Sequence, residues 1–177
     1  MSLPTPTLAR QPTLASSCAR AATAAETRFR IDYPDRSRRD SRVIALDERT
    51  AGLIQSLAAS ADRWRGGHFL AFSSVVPAGD DARLRTPDGA EVLLSQELDH
   101  ADVVVMLAGP TGDTGASAAA AAVIGDACAA RFIMSAGLVL PGGPVDAVIS
   151  ALRPNAMVLV ILQESDDVAE VLSALRV

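Results

Sequence analysis

The segment best suited to chemistry is a glycine-rich stretch, Ala108 to Ser117, which reads Ala-Gly-Pro-Thr-Gly-Asp-Thr-Gly-Ala-Ser. It follows a continuous apolar run and precedes an alanine-rich one, the position of a strand-to-helix loop. Glycines there let the backbone approach a ligand, and the N–H groups at a helix start favour a phosphate or carboxylate. A tight connection that needs no ligand fits the same residues, so both interpretations stay open. The predicted nucleotide-binding residues are Gly109, Thr111, Gly112, Asp113, Thr114, Gly115, Ala116 and Ser117.

Residue types elsewhere in the chain argue against an enzyme. There is no lysine, which excludes a Walker-type phosphate loop, a pyridoxal Schiff base and a lysine general base. Two histidines and two cysteines are too few and too scattered to predict a zinc site. An imidazole stands between carboxylates in residues 99–102, but no Gly-x-Ser-x-Gly nucleophile elbow accompanies it. We therefore expect no catalytic residues and no metal.

The 177 residues are 49% hydrophobic and 21% charged, which predicts one globular domain. Residues 1–41 form a basic leader rich in alanine, serine and proline, which we expect to be disordered. The rest, residues 42–177, is acidic and therefore a poor partner for nucleic acid. The longest uncharged stretch, residues 132–145, is too short and too broken by proline and glycine to span a membrane. We expect a cytoplasmic protein, or an organelle-targeted one in a eukaryote, because the leader resembles a transit peptide.

Short apolar runs alternate with amphipathic ones along residues 42–177, which predicts an α/β fold: an open, mostly parallel Rossmann-like sheet with helices on both faces. Asp47 is predicted to cap the first helix. The tetrad Thr86-Pro87-Asp88-Gly89 predicts a turn between two short edge strands. Ligands of such sheets bind at the carboxyl ends of the strands, where we expect the 109–117 loop and the strand-ending Ser135. The predicted strands are 43–46, 68–75, 102–108, 132–136 and 157–162, and helices are predicted at 116–130, 144–152 and 166–175.

Residues 101–117 resemble the nucleotide-binding region of the FtsZ/tubulin superfamily. In that family an Ala-Asp-apolar-Ala-Gly strand enters a Gly-Gly-Gly-Thr-Gly-Thr/Ser-Gly loop. Here Ala101-Asp102 leads through an apolar run to Ala108-Gly109, and residues 112–117 read Gly-Asp-Thr-Gly-Ala-Ser. Thr111 and Asp113 replace two of the loop's glycines. The order of elements over about residues 42–177 is also similar, so the resemblance implies a Rossmann-like domain with a guanine-nucleotide site for GTP or GDP.

Two departures from that family imply a degenerate copy. The family's first strand ends in a second glycine-rich loop, whereas Asp47-Glu48-Arg49-Thr50 follows here, and carboxylates repel phosphates. The chain also has no room for the family's second domain, which supplies the catalytic acid. We therefore expect a non-catalytic binding or assembly protein with weak guanine-nucleotide binding. With aromatic residues at only 3%, self-association or membership of a larger complex is expected.

The alternative is a dinucleotide-binding enzyme or enzyme subunit. Gly109, Gly112 and Gly115 have the Gly-x-x-Gly-x-x-Gly spacing of short-chain reductases, which resemble this chain at the loop and bind NAD(P). The loop of those proteins normally follows the first strand, and their Tyr-x-x-x-Lys pair cannot exist in a chain without lysine.

Overall fold

The computed structural model describes residues 39–60, 63–64, 66–77, 81–110, 114–175 and 177. The predicted leader lies outside these residues except for 39–41, and Ser41 already belongs to the first strand. Strands and helices alternate along most of the described chain. In order they are β1 Ser41–Ala45, α1 Glu48–Ala58, β2 Gly67–Val75, β3 Ala82–Arg85, β4 Glu91–Leu93, α2 Leu94–Leu98, β5 Val103–Ala108, α3 Thr114–Ala130, β6 Met134–Val139, α4 Asp146–Leu152, β7 Val158–Ile161 and α5 Asp167–Leu175.

The strands form a single sheet in the order β4-β3-β2-β1-β5-β6-β7. Five neighbouring strands are parallel, in the order β2, β1, β5, β6 and β7. Strands β3 and β4 form a hairpin that pairs antiparallel with β2 at one side of the sheet. The chain winds outward in opposite directions from β1 and β5, which makes the gap between these two strands the topological switch point. The predicted α/β fold and the predicted hairpin are confirmed.

Helices cover both faces of the sheet, because successive side chains of a buried strand point to opposite sides. Ile44 and Met106 pack with α2, α3 and α4 on one face. Val43 and Val105 pack with α1 and α5 on the other. The described chain contains no helix with the length and apolar character needed to cross a membrane.

The prediction for β6 is wrong by two or three residues at both ends. The strand occupies Met134–Val139 because α3 ends in a Schellman turn, in which Ile133 N–H donates to Cys128 O at 3.0 Å and Phe132 N–H to Ala129 O at 3.2 Å. Ser135 therefore lies at the amino end of the strand, not at the ligand edge, and its hydroxyl donates to Asn155 O at 3.0 Å.

The hairpin is tied to the helix that follows it by one carboxylate. Asp81 accepts hydrogen bonds from the Ser95 hydroxyl at 2.7 Å and from the N–H groups of Ala82 at 2.8 Å and Ser95 at 3.0 Å. Burial raises the pKa of Asp81, but these hydrogen bonds together with the Arg131 charge outweigh it, and the net pKa is lowered. The carboxylate thus caps α2, whose own preceding residue provides no side-chain cap.

Replacing this carboxylate should destabilise the domain in a pH-dependent way. Asp81→Ala should lower the free energy of unfolding at pH 7 by about 0.5–2 kcal/mol, the usual cost of removing a helix cap. Because the folded-state pKa is lowered, the wild-type advantage is present above the ordinary value of 3.8 and disappears as the pH falls below it. Urea unfolding at pH 7 and pH 3 measures both effects. Asp88→Ala, in the exposed neighbouring turn, is the control, and an equal loss in both variants would contradict the assignment.

Candidate functional site

The loop after β1 begins at Asp47, which caps α1 as the sequence predicts. Its backbone is extended, with φ −146° and ψ 166°, and its Oδ1 accepts from Thr50 N–H at 3.0 Å. The Thr50 hydroxyl accepts in turn from Asp47 N–H at 3.3 Å. This reciprocal capping box satisfies two backbone donors at the helix start and holds the carboxylate at the carboxyl edge of the sheet.

The second oxygen of this carboxylate reaches across the switch point. Asp47 Oδ2 accepts a hydrogen bond from Gly109 N–H, the first amide of the predicted binding loop, at 2.7 Å. A charge-assisted bond of this length is strong. The protein's own carboxylate therefore holds an amide that the sequence assigns to a bound phosphate.

Arg49 adds a positive charge beside the same loops. It is exposed, and its guanidinium lies so close to Gly142 that a Cβ there would be 3.0 Å from Nη2. Gly142 also has a φ of +112°, a backbone conformation that favours glycine at this position. A Cβ on Gly109 would lie 3.5 Å from Arg49 Cδ. The Arg49 side chain thus extends from the first turn of α1 over the β5–α3 loop to the β6–α4 loop.

Three loops meet at the crevice because the last two also touch each other. A Cβ on Gly143 would lie 2.9 Å from Pro110 Cβ, which shows how closely the backbones approach. The structure therefore brings together Asp47, Arg49, Gly109 and the Gly142–Gly143 pair. The sequence predicted Asp47 as a helix cap, and it placed Asp47 and Arg49 near this site only as departures from a family pattern.

The remaining predicted binding residues fall into two groups, one outside the described residues and one at the start of α3. Thr111, Gly112 and Asp113 lie outside the described residues. Helix α3 begins at Thr114, and Gly115 and Ala116 in its first turn are exposed. Ser117 is only 3% exposed, so it lies beneath the helix start and away from solvent.

Charged residues at the opposite edge of the sheet form a structural cluster. Arg42, 3% exposed, has its Nε 2.8 Å from Glu97 Oε2, at an angle that makes the contact an ion pair and not a hydrogen bond. His68 Nδ1 lies 3.1 Å from the same oxygen, and Asp102 Oδ2 accepts from Asp40 N–H at 3.0 Å. Within the described residues, no three histidine, cysteine or carboxylate side chains come together as a metal site would need.

A second candidate surface was missed by the sequence analysis. A cavity of about 480 Å³ opens near the amino end of β6, between the end of α3 and the loop before β7. Phe132 and Met157 line it and are 97% and 75% exposed. The available signal was Phe132, a bulky aromatic just past the end of a predicted helix, where glycine is expected. The sequence analysis instead places Phe132 at the start of a strand.

Comparison with known proteins identifies no relative: no protein-family model matches the chain, and no curated protein matches it significantly. The FtsZ/tubulin resemblance accordingly depends on the loop residues and the order of elements.

Cys128 is a small, buried side chain. It lies on the inner side of α3 and is 1% exposed. Burial raises the pKa of its thiol to about 11, against an opposing effect of the Arg131 charge. A neutral, inaccessible thiol cannot serve as a nucleophile at neutral pH.

This thiol should be inert until the domain unfolds. In a Cys18→Ser variant at pH 8, a thiol reagent should react at least about 100-fold more slowly with native protein than with urea-unfolded protein, because thiolate is scarce and access is closed. Since the folded-state pKa is raised, the unfolded chain releases this proton first, and stability should fall as the pH rises above about 9. Labelling of native protein within minutes would contradict the assigned burial.

The Asp47 contacts should be measurable as stability and as amide protection. Asp47→Ala removes the cap of α1 and the partner of Gly109 N–H, so the free energy of unfolding should fall by about 1–3 kcal/mol. Hydrogen exchange at Gly109 should become at least tenfold faster than in wild type. An unchanged Gly109 exchange rate would show that this amide is not held by Asp47.

Proposed function

We propose that the chain is a non-catalytic binding or assembly protein, built on an FtsZ/tubulin-like nucleotide domain that retains only weak guanine-nucleotide binding at the 109–117 loop. The observation that carries this proposal is the hydrogen bond from Gly109 N–H to Asp47 Oδ2 at 2.7 Å. It supports a crevice that is stable without a ligand.

Electrostatics support weak binding at this crevice. A phosphate oxygen about 4 Å from the Asp47 carboxylate would be repelled by about 4 kcal/mol at an effective dielectric of about 20. The phosphate would also have to displace the carboxylate from Gly109 N–H. Arg49, exposed beside Gly142, offsets part of this cost. A repulsion of that size weakens a micromolar site to about the millimolar range.

The same contacts support a non-catalytic role. Both carboxylate oxygens of Asp47 accept from backbone N–H groups, so this group is already engaged as a structural cap. A general base must reach the proton that it removes. Neither His68 nor Cys128 can act as such a base at this crevice. His68 is paired with Glu97 at the opposite edge of the sheet, and Cys128 is buried with a raised pKa.

Exposed apolar side chains support action through protein contacts. Phe132 and Met157 are almost fully exposed, and Val158 and Ile161 on the outermost strand are 46% and 48% exposed. Clusters of this kind on a surface are typical of protein interfaces.

The nucleotide part of the proposal is tested by one substitution that opens the crevice. Asp47→Ser keeps a good helix cap but removes the charge and the long reach to Gly109. Wild-type protein should bind GTP or GDP only at about millimolar concentration, and Asp47→Ser should bind at least tenfold more tightly. Titration calorimetry with the full chain measures both.

Two control variants separate the causes. Glu48→Gln removes the same charge from the same loop but leaves the Asp47–Gly109 bond, so it should strengthen binding much less. Adding Gly112→Val to Asp47→Ser should abolish the gain if the predicted loop holds the phosphate. Micromolar GTP binding by wild type, or binding of NAD(P) in its place, would overturn the nucleotide assignment.

A further inference from the structure

Phe132 occupies a backbone position that a folded monomer would fill better with glycine. It is the residue after the end of α3 in the Schellman turn, with a φ of +58°, a region that bulky residues rarely adopt. Its side chain is 97% exposed, so burial within the domain does not compensate for this conformation. A strained and exposed aromatic indicates a role outside the monomer.

Phe132 is one of four exposed apolar residues on and beside the outermost strand, which we call the edge surface and define as Phe132, Met157, Val158 and Ile161. Phe132 and Met157 line the same cavity, and Met157 leads directly into β7. Strand β7 is last in the sheet and pairs only with β6 among the described strands. Charged residues and proline usually protect an edge strand from pairing with another chain. Residues 156–163 contain neither.

We propose that a second copy of this chain covers the edge surface, with the two β7 strands paired antiparallel across a two-fold axis perpendicular to the sheet. This inference rests on the assembly part of the proposed function and gives it a location. Pairing of the two edges would join the two sheets into one. The free backbone N–H and C=O groups of each β7 strand would then form hydrogen bonds with those of the other.

The charges beside β7 favour a second copy over an unrelated partner. The exposed Arg153 precedes the strand, whereas Glu164 and Asp166 follow it and are exposed. Antiparallel pairing therefore sets the basic end of one copy against the acidic end of the other. Self-complementarity of this kind is what a two-fold interface requires.

Side-chain parity gives the register. Residues that face each other across antiparallel strands point to the same side of the sheet. When the pair is centred on Leu159, Met157 of each copy lies opposite Ile161 of the other. Val158 of each copy likewise lies opposite Val160 of the other. Met157 and Ile161, which are exposed on one side of the sheet, then cover each other, and the exposed Val158 packs against the half-buried Val160 on the other side.

A charged substitution on β7 tests this interface against a matched control. Sedimentation velocity of the full chain from about 1 to 200 μM should show a concentration-dependent dimer. Val158→Lys should raise the dimer Kd at least tenfold. Val75→Lys introduces the same change at a valine of similar exposure, 41% against 46%, on β2, and should leave the Kd within twofold.

A second variant separates an interface role from a structural one. Phe132→Gly should raise the melting temperature of dilute monomer by about 2–4 °C, because it relieves the left-handed backbone. It should also raise the dimer Kd at least tenfold. A stabilised variant that dimerises as tightly as wild type would remove Phe132 from the interface.

The outcomes distinguish this inference from the proposed function. Dimerisation that resists Val158→Lys would overturn the β7 interface and leave assembly standing. A wild-type chain that stays monomeric throughout the concentration range would overturn both the interface and self-association. Neither result bears on the nucleotide titrations.

Discussion

The carboxylate of Asp47 holds together the loops on either side of the switch point. One oxygen caps α1 through Thr50 N–H and the other accepts from Gly109 N–H. The charge sits at the amino end of α1, where the helix dipole stabilises it. A carboxylate that satisfies two amides in this way has the place and the chemistry of a bound anion. The amides of Thr50 and Gly109 are therefore satisfied within the chain, and a phosphate approaching Gly109 has to compete with a group that never dissociates.

The two ends of the sheet consequently have different physical character. At the carboxyl end, Pro110 packs against Gly143 and the Arg49 side chain lies over Gly142, so the loops approach one another closely. Near the amino end, Phe132 and Met157 border an open cavity with no comparable cover among the described residues. An α/β sheet usually binds its ligand at the carboxyl end. Here the most exposed large apolar side chains lie near the amino end, beside β7.

Local patterns predicted most of the fold, and contacts between distant residues explain what they missed. The Asp47 cap and the turn at residues 86–89 depend on neighbouring residues, so spacing alone was sufficient. The bond between Asp47 and Gly109 joins residues 62 positions apart and appears only once β1 and β5 lie side by side. The start of β6 was misplaced for a different reason. A Schellman turn without glycine gives only an ambiguous signal in the sequence, because Phe132 also fits the beginning of an apolar strand.

Small side chains in the core explain why a surface aromatic matters in this chain. A Cβ on Gly125 would lie 2.5 Å from Asn155 Cβ, and one on Gly137 would lie 2.8 Å from Leu159 Cδ1, so α3 and β6 are packed by close backbone approach. With aromatic residues at only 3% of the chain, few large anchors are available, and Trp64 against Phe69 supplies one on the α1 and α5 face. A phenylalanine placed at a left-handed position in solvent is then difficult to explain by folding. Its side chain would gain stabilisation if another surface removed it from water, and the proposed dimer supplies such a surface.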